Sequence, residues 1–276
     1  MLRVELRTQI LRLRTLIALG CVAAVPVAAG LATATSAGHR YNNQDGLFGA
    51  STYSALNHAM ASLQFTGPLL LPIVVATLAA AIASADRDWG ILRYLYVAPV
   101  TRTRLLIGKL TAVTIAAVTA VGGNVLAGVL TGLAVFGWHP FHIIDAPDLP
   151  TAAALGRALA ATAYLTLCML SIAAIAFALG VLLPRGAEAV AITIGFLVAA
   201  SILNGQADPD GGVLHTIAVA LPVHYWQSWP QLLERAGSPD VTSLPSMATG
   251  AVAQVATIAV SVALAVLVLR HRDPAA

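Results

Sequence analysis

Charge is what this sequence has least of. Only 10% of its 276 residues are Asp, Glu, Lys or Arg, where a soluble domain carries about 25%. A chain this poor in charge cannot cover itself with a hydrated surface, so its solvent is mostly lipid. Cysteine is scarce as well. Cys21 and Cys168 both lie inside apolar runs, which argues against a disulfide framework and leaves the redox compartment unread. There is one Lys against fourteen Arg, and with abundant Ala and Val that bias points to a high-GC bacterial genome.

The signatures of catalysis are missing too. No GxxxxGK[ST] loop is present to cradle phosphates, no HExxH to hold zinc, and no GxSxG elbow to present a nucleophilic serine. The HPFH stretch at 139–142, with Asp145 and Asp148 nearby, comes nearest to a metal site. One histidine pair at that spacing falls short of a full ligand set. An outer loop with its imidazoles at the interface is the preferred reading. We therefore expect no enzyme, no metal and no cofactor in this chain, and nothing in it calls for nucleic acid.

What is present is a series of six apolar runs, at 15–34, 68–85, 110–137, 158–183, 187–204 and 248–269. About 20 apolar residues cross a ~30 Å hydrocarbon core, so the first run is expected to be an uncleaved span rather than a secretory leader. Open strands cannot cross lipid with unpaired backbone groups, so six helices are expected. Pro72, near the start of the second run, is expected to bend its helix. Hardly any ionisable side chain falls within the runs: Arg157 lies at the outer mouth of the fourth and Glu188 at the inner mouth of the fifth. Proton- and ion-coupled transporters need such groups at mid-depth. Sodium coupling through backbone oxygens and hydroxyls stays open.

Charge also sets the orientation. With both termini cytoplasmic, 12 basic residues fall inside and only Arg40, Arg157 and Arg235 outside. An odd number of spans would put Arg270 and Arg272 on the wrong side. The expectation is therefore one all-α membrane domain over 1–276, in the cytoplasmic membrane. Residues 1–14 form a basic interfacial helix on the inner leaflet, where each basic residue gains about 1 kcal/mol from anionic lipid. The outer stretch 36–67 reads as polar and irregular. The outer segment 205–247 holds a partly apolar block at 213–236 with Tyr225, Trp226 and Trp229, which reads as an interfacial or re-entrant hairpin with its rings at headgroup level.

The segment ADRDWGILRYLYVAPVTRTRLLIGK, residues 85–109, is the most informative part of the chain. Asp86, Arg87 and Asp88 end the second span at the water boundary, Trp89 anchors the interface, and Gly90 lets the backbone turn. Residues 91–97 form a short amphipathic helix suited to a membrane surface or a partner's groove. Pro99 ends it, and Thr101 can cap the helix that carries Arg102, Arg104 and Lys109 into the third span.

This order of residues resembles the hallmark of the type-2 ATP-binding-cassette (ABC-2 type) exporter permeases: acidic-x-acidic-x-Gly, apolar residues, Pro, a small or hydroxyl residue, a basic pair and Gly-Lys. Here these are Asp86, Asp88, Gly90, Leu92, Leu95, Pro99, Thr101, Arg102, Arg104, Gly108 and Lys109. Asp stands where Glu is commoner, and Ile91 where Thr is usual. The motif covers about 25 residues, and the layout of spans matches throughout. The resemblance implies a permease that works as a dimer with a second copy or a paralogue. Each half would dock on one of two ATPase subunits, which would hold the ATP and magnesium. Residues 86–109 would be the coupling element, the turn with Arg185 and Glu188 a smaller second contact, and the outer helices at 213–236 a closure of the pathway from outside.

Among polar groups in the spans, Asn124 and Gln254 are the candidates for lining a substrate path, although such groups more often join helix packing. A charge-free interior suits a lipophilic or amphiphilic cargo such as a drug, an antibiotic or a lipid. Two other readings stand beside an exporter permease: a secondary transporter or channel, and an intramembrane enzyme or assembly factor whose foothold would be the HPFH pair.

Overall fold

A computed structural model describes residues 12–35, 46–88, 102–144, 146–206, 212–234 and 245–271. Its long helices are α1 (Leu13–Thr35), α4 (Leu70–Asp88), α5 (Arg102–Val135), α6 (Thr151–Leu182), α7 (Gly186–Gln206) and α10 (Pro245–His271). Between them lie the single turn α2 (Gly46–Gly49), the helix α3 (Ala55–Thr66), and a hairpin of β1 (Phe141–Ile143) and β2 (Ala146–Leu149). The outer segment holds α8 (Val213–Ala220), a 3₁₀ helix (Pro222–Ser228) and α9 (Gln231–Glu234). Five helices are long and apolar enough to cross a membrane, and six if α3 and α4 are the two limbs of one bent span. Every expected apolar run lies on one of these helices. The helix of the third run begins at Arg102, as the cap at Thr101 led one to expect, and that of the fourth begins at Thr151, seven residues before its apolar run, because a helix continues into water once its polar end can be hydrated. At 1.5 Å per residue the 34 residues of α5 reach about 51 Å, well beyond the hydrocarbon core.

The centre of the bundle is α6, which packs against α4, α5, α7 and α10. In its apolar window 61% of residues are buried, against 17% in α10 and 22% in α1 and α7. Those three helices are therefore the outer staves. Their exposed Leu16, Ile17, Ile192, Val198, Val255 and Leu264 face lipid or another chain.

Two expectations are corrected near α3. The stretch 36–67 is not irregular throughout, because Ala55–Thr66 is a helix with all but Gln64 and Phe65 buried. Its polar residues disguised it in the sequence, yet Asn57, His58 and Thr66 each have a partner in the fold. Ser54 caps it, with Oγ accepting from the Asn57 amide. The helix can lie deep because α5 offers it glycine. Gly128 and Gly132, a GxxxG pair, face Ala59 and Ala55, and a Cβ on either glycine would come within 3 Å of the α3 backbone. The bend, 64° between α3 and α4, falls at Gly67, Pro68 and Leu69 rather than at Pro72. Pro72 is the third residue of α4, where its missing N–H would have had no helical partner.

Candidate functional site

At one end of the bundle, Asp86 and Asp88 fall in the last turn of α4 and Arg102 is the first residue of α5. Gly90, Leu92, Leu95, Pro99 and Thr101 lie outside the described residues. Arg104 is exposed. Arg185 and Glu188 flank the α6–α7 turn, 3.9 Å apart, with Arg185 82% exposed. Such a surface pair adds little stability, which leaves both side chains available to a partner. Glu188 lies in the first turn of α7, at the positive end of that helix. Lys109 differs from the rest of the set. It is 6% exposed, and its Nζ donates to the Ala83 carbonyl of α4 at 3.1 Å.

Behind this end, the two α6–α7 glycines close on α4. A Cβ at Gly180 would lie 2.7 Å from the Ala83 Cβ, and one at Gly186 would overlap the Ser84 side chain. The turn that carries Arg185 therefore sits directly against the turn of α4 that leads to Asp86.

Within the bundle, the polar groups act as struts. Pro26 in α1 has no N–H, so the Val22 carbonyl four residues earlier lacks its helical donor. Asn124 of α5 supplies one: its Nδ2 donates to Val22 O at 3.0 Å, while its Oδ1 is buried with no hydrogen-bond partner. His58 of α3 lies with Nε2 3.0 Å from the Pro26 carbonyl, which only accepts, so that nitrogen donates. Gln254 of α10 is also fully buried. It accepts from the Ser171 hydroxyl of α6 through Oε1 and donates from Nε2 to the Pro222 carbonyl at 2.8 Å. Both residues expected as path candidates thus tie elements together.

The segment 212–234 is fastened to three helices. Gln254 holds Pro222. The Tyr164 hydroxyl of α6 donates to the Tyr225 carbonyl at 2.8 Å, and Arg157 to the Leu232 carbonyl at 3.2 Å. His224 Nδ1 meets Asn204 Oδ1 of α7 at 2.6 Å. Burial first, and then the neighbouring His215 charge, hold the His224 imidazole below its ordinary range. Trp226 and Trp229 are 3% and 1% exposed, and Tyr225 is 8% exposed. These rings pack into protein.

The HPFH loop becomes part of the β-hairpin. Asn57 pairs twice with the His142 backbone, donating to its carbonyl at 2.8 Å and accepting from its amide at 3.1 Å. The His142 ring stacks on Tyr53 with centroids 3.9 Å apart and meets Asp148 at 2.7 Å. Among the described residues no three metal-ligating side chains gather. Asn57, His58, Tyr164 and Ser171 were not picked out from sequence. Pro26 inside an apolar run was the signal that could have led to the role of Asn124, since a proline beyond the first turn of a helix leaves the carbonyl four residues earlier without its donor.

No curated protein matches the chain in sequence. A family model described as an ABC-2 family transporter protein matches residues 9–199, from before α1 to within α7. That stretch contains the motif at 86–109, the bent α3–α4 pair and the central α6, and the chain belongs to the ABC-2 transporter family.

Proposed function

We propose that this protein is the membrane-spanning subunit of an ATP-driven exporter, working as a dimer on two separate ATPase subunits. Both termini lie in the cytoplasm. The segment 86–109 enters a groove on the ATPase, with Asp86, Asp88, Arg102 and Arg104 near its ends, and the turn with Arg185 and Glu188 makes a second, smaller contact. ATP and magnesium belong to the partner. Closure of the two ATPases pushes these contacts, tilts α4 and α5, and opens the path that the outer segment otherwise closes. The observation that carries this reading is the juxtaposition of the two cytoplasmic contacts. Gly186, next to Arg185, abuts Ser84, two residues before Asp86, so a single docking partner can reach both.

The test is a mild-detergent affinity purification. A stoichiometric ATPase should come down with the chain. Asp88→Ala and Arg102→Glu should disconnect ATP use from the permease while it still inserts in the membrane. A chain that purifies alone in several detergents, or wild-type coupling in both variants, would defeat the reading. The cargo is lipophilic or amphiphilic, because the spans offer no fixed charge at mid-depth to pair with an ionic substrate. A deletion strain should become more susceptible to lipophilic compounds. An unchanged susceptibility profile across such compounds would count against that cargo class.

A further inference from the structure

Lys109 is the only lysine in the chain, and it is buried where a charged docking surface would expose it. Lysine is almost never fully buried unless it is paired. It stands two turns into α5, and its Nζ crosses to α4, where it donates to Ala83 O. The cation is therefore held by the neighbouring helix. The same turn of α4, Ala80 to Ser84, also receives Gly180 and Gly186 from either side of the α6–α7 turn, with no room for a Cβ on either. A single turn of α4 thus bears the start of α5 on one side and the α6–α7 turn on the other.

We propose that Lys109 is a positioning residue that locks the start of α5 to the end of α4, so that these two helix ends and the 184–188 turn move as one body when the ATPase moves. This rests on the reading of 86–109 as the coupling segment. It takes Lys109 off the surface that touches the ATPase and places it in the joint beneath.

The test uses the purified complex with its ATPase and Mg-ATP as the probe, in a Cys21→Ser background. Spin labels go at Ile107→Cys and Leu182→Cys, which are 58% and 51% exposed and lie on the two sides of the joint. Labelled chains are diluted with unlabelled copies so that distances within one chain are read. With Lys109 present, the 107–182 distance should stay fixed when Mg-ATP binds. Lys109→Met keeps the apolar stem and removes the charge. It should leave ATPase co-purification at the wild-type level, yet broaden the distribution and shift it on Mg-ATP binding. Lys109→Arg should restore the fixed distance.

A 107–182 distance that changes with nucleotide while Lys109 is present overturns the proposal, and that measurement needs no variant at position 109. Loss of the ATPase in Lys109→Met overturns it as well, since that is how a docking residue behaves. The parent reading fails separately: wild-type coupling in Asp88→Ala and Arg102→Glu would remove the coupling segment itself, whatever the 107–182 distance does.

Discussion

Asn124 shows how a polar residue is used at depth in this chain. Its amide nitrogen satisfies a carbonyl that Pro26 leaves bare. The strut and the proline are therefore one device, and a double-mutant cycle can show it. Asn124→Leu keeps the volume and strands Val22 O, which should cost about 1–2 kcal/mol. In a Pro26→Ala background the new backbone N–H can reach Val22 O, and the same substitution should cost less than half as much. Thermal or detergent-titrated unfolding of the four proteins gives the numbers. Equal costs in both backgrounds would show that Asn124 serves something other than this carbonyl. The proline and Asn124 were each visible in the sequence, but their pairing was not, because Asn124 and Val22 are 102 positions apart. The same holds for Lys109. A lysine after glycine at the start of a span reads as a contact for a partner, and only the fold shows the Ala83 carbonyl 26 residues back.

At the scale of elements, the apolar runs were legible because lipid demands them: each run had to be long, uncharged and helical. The elements that sequence patterning misjudged are those buried among other helices rather than in lipid. The helix α3 carries Asn57, His58 and Ser62 on buried positions, so its composition suggested a polar loop. The outer aromatics looked suited to a headgroup layer because ring chemistry is the same whether a ring meets lipid or protein. Fastening of the outer segment to α7 depends on His224 and Asn204, and that joint should respond to pH. The folded His224 sits below its ordinary value because of burial and His215, so the undocked segment binds the proton more readily than the docked one. Docking is then at full strength above about pH 6.5, the ordinary histidine value, and weakens as the pH falls below it. Fluorescence of the buried Trp226 and Trp229 should report the loosening on acidification. His224→Gln should flatten that response, and an unaltered pH profile in the variant would assign it to another group.

Across the whole molecule, fold and orientation are decided by different physics. Burial around α6 would be the same with either face of the bundle turned to the cytoplasm, since packing carries no information about which side is inside. The 12-to-3 partition of basic residues does carry it, because positive charge resists translocation. The structure supplies probes for that partition. Asp148 of the hairpin is 53% exposed and Arg185 of the α6–α7 turn is 82% exposed, at opposite ends of α6. In a Cys21→Ser background, Asp148→Cys should react with a membrane-impermeant thiol reagent on intact spheroplasts. Arg185→Cys should react only after the membrane is opened. The reverse pattern would turn the molecule over, placing 86–109 outside and out of reach of any cytoplasmic ATPase. Labelling of both positions on intact cells would mean that these two ends do not face opposite sides, and would break the six-span count along with the orientation. The expected pattern, by contrast, puts the lysine joint, the α6–α7 turn and the acidic end of α4 on the side where ATP is made available.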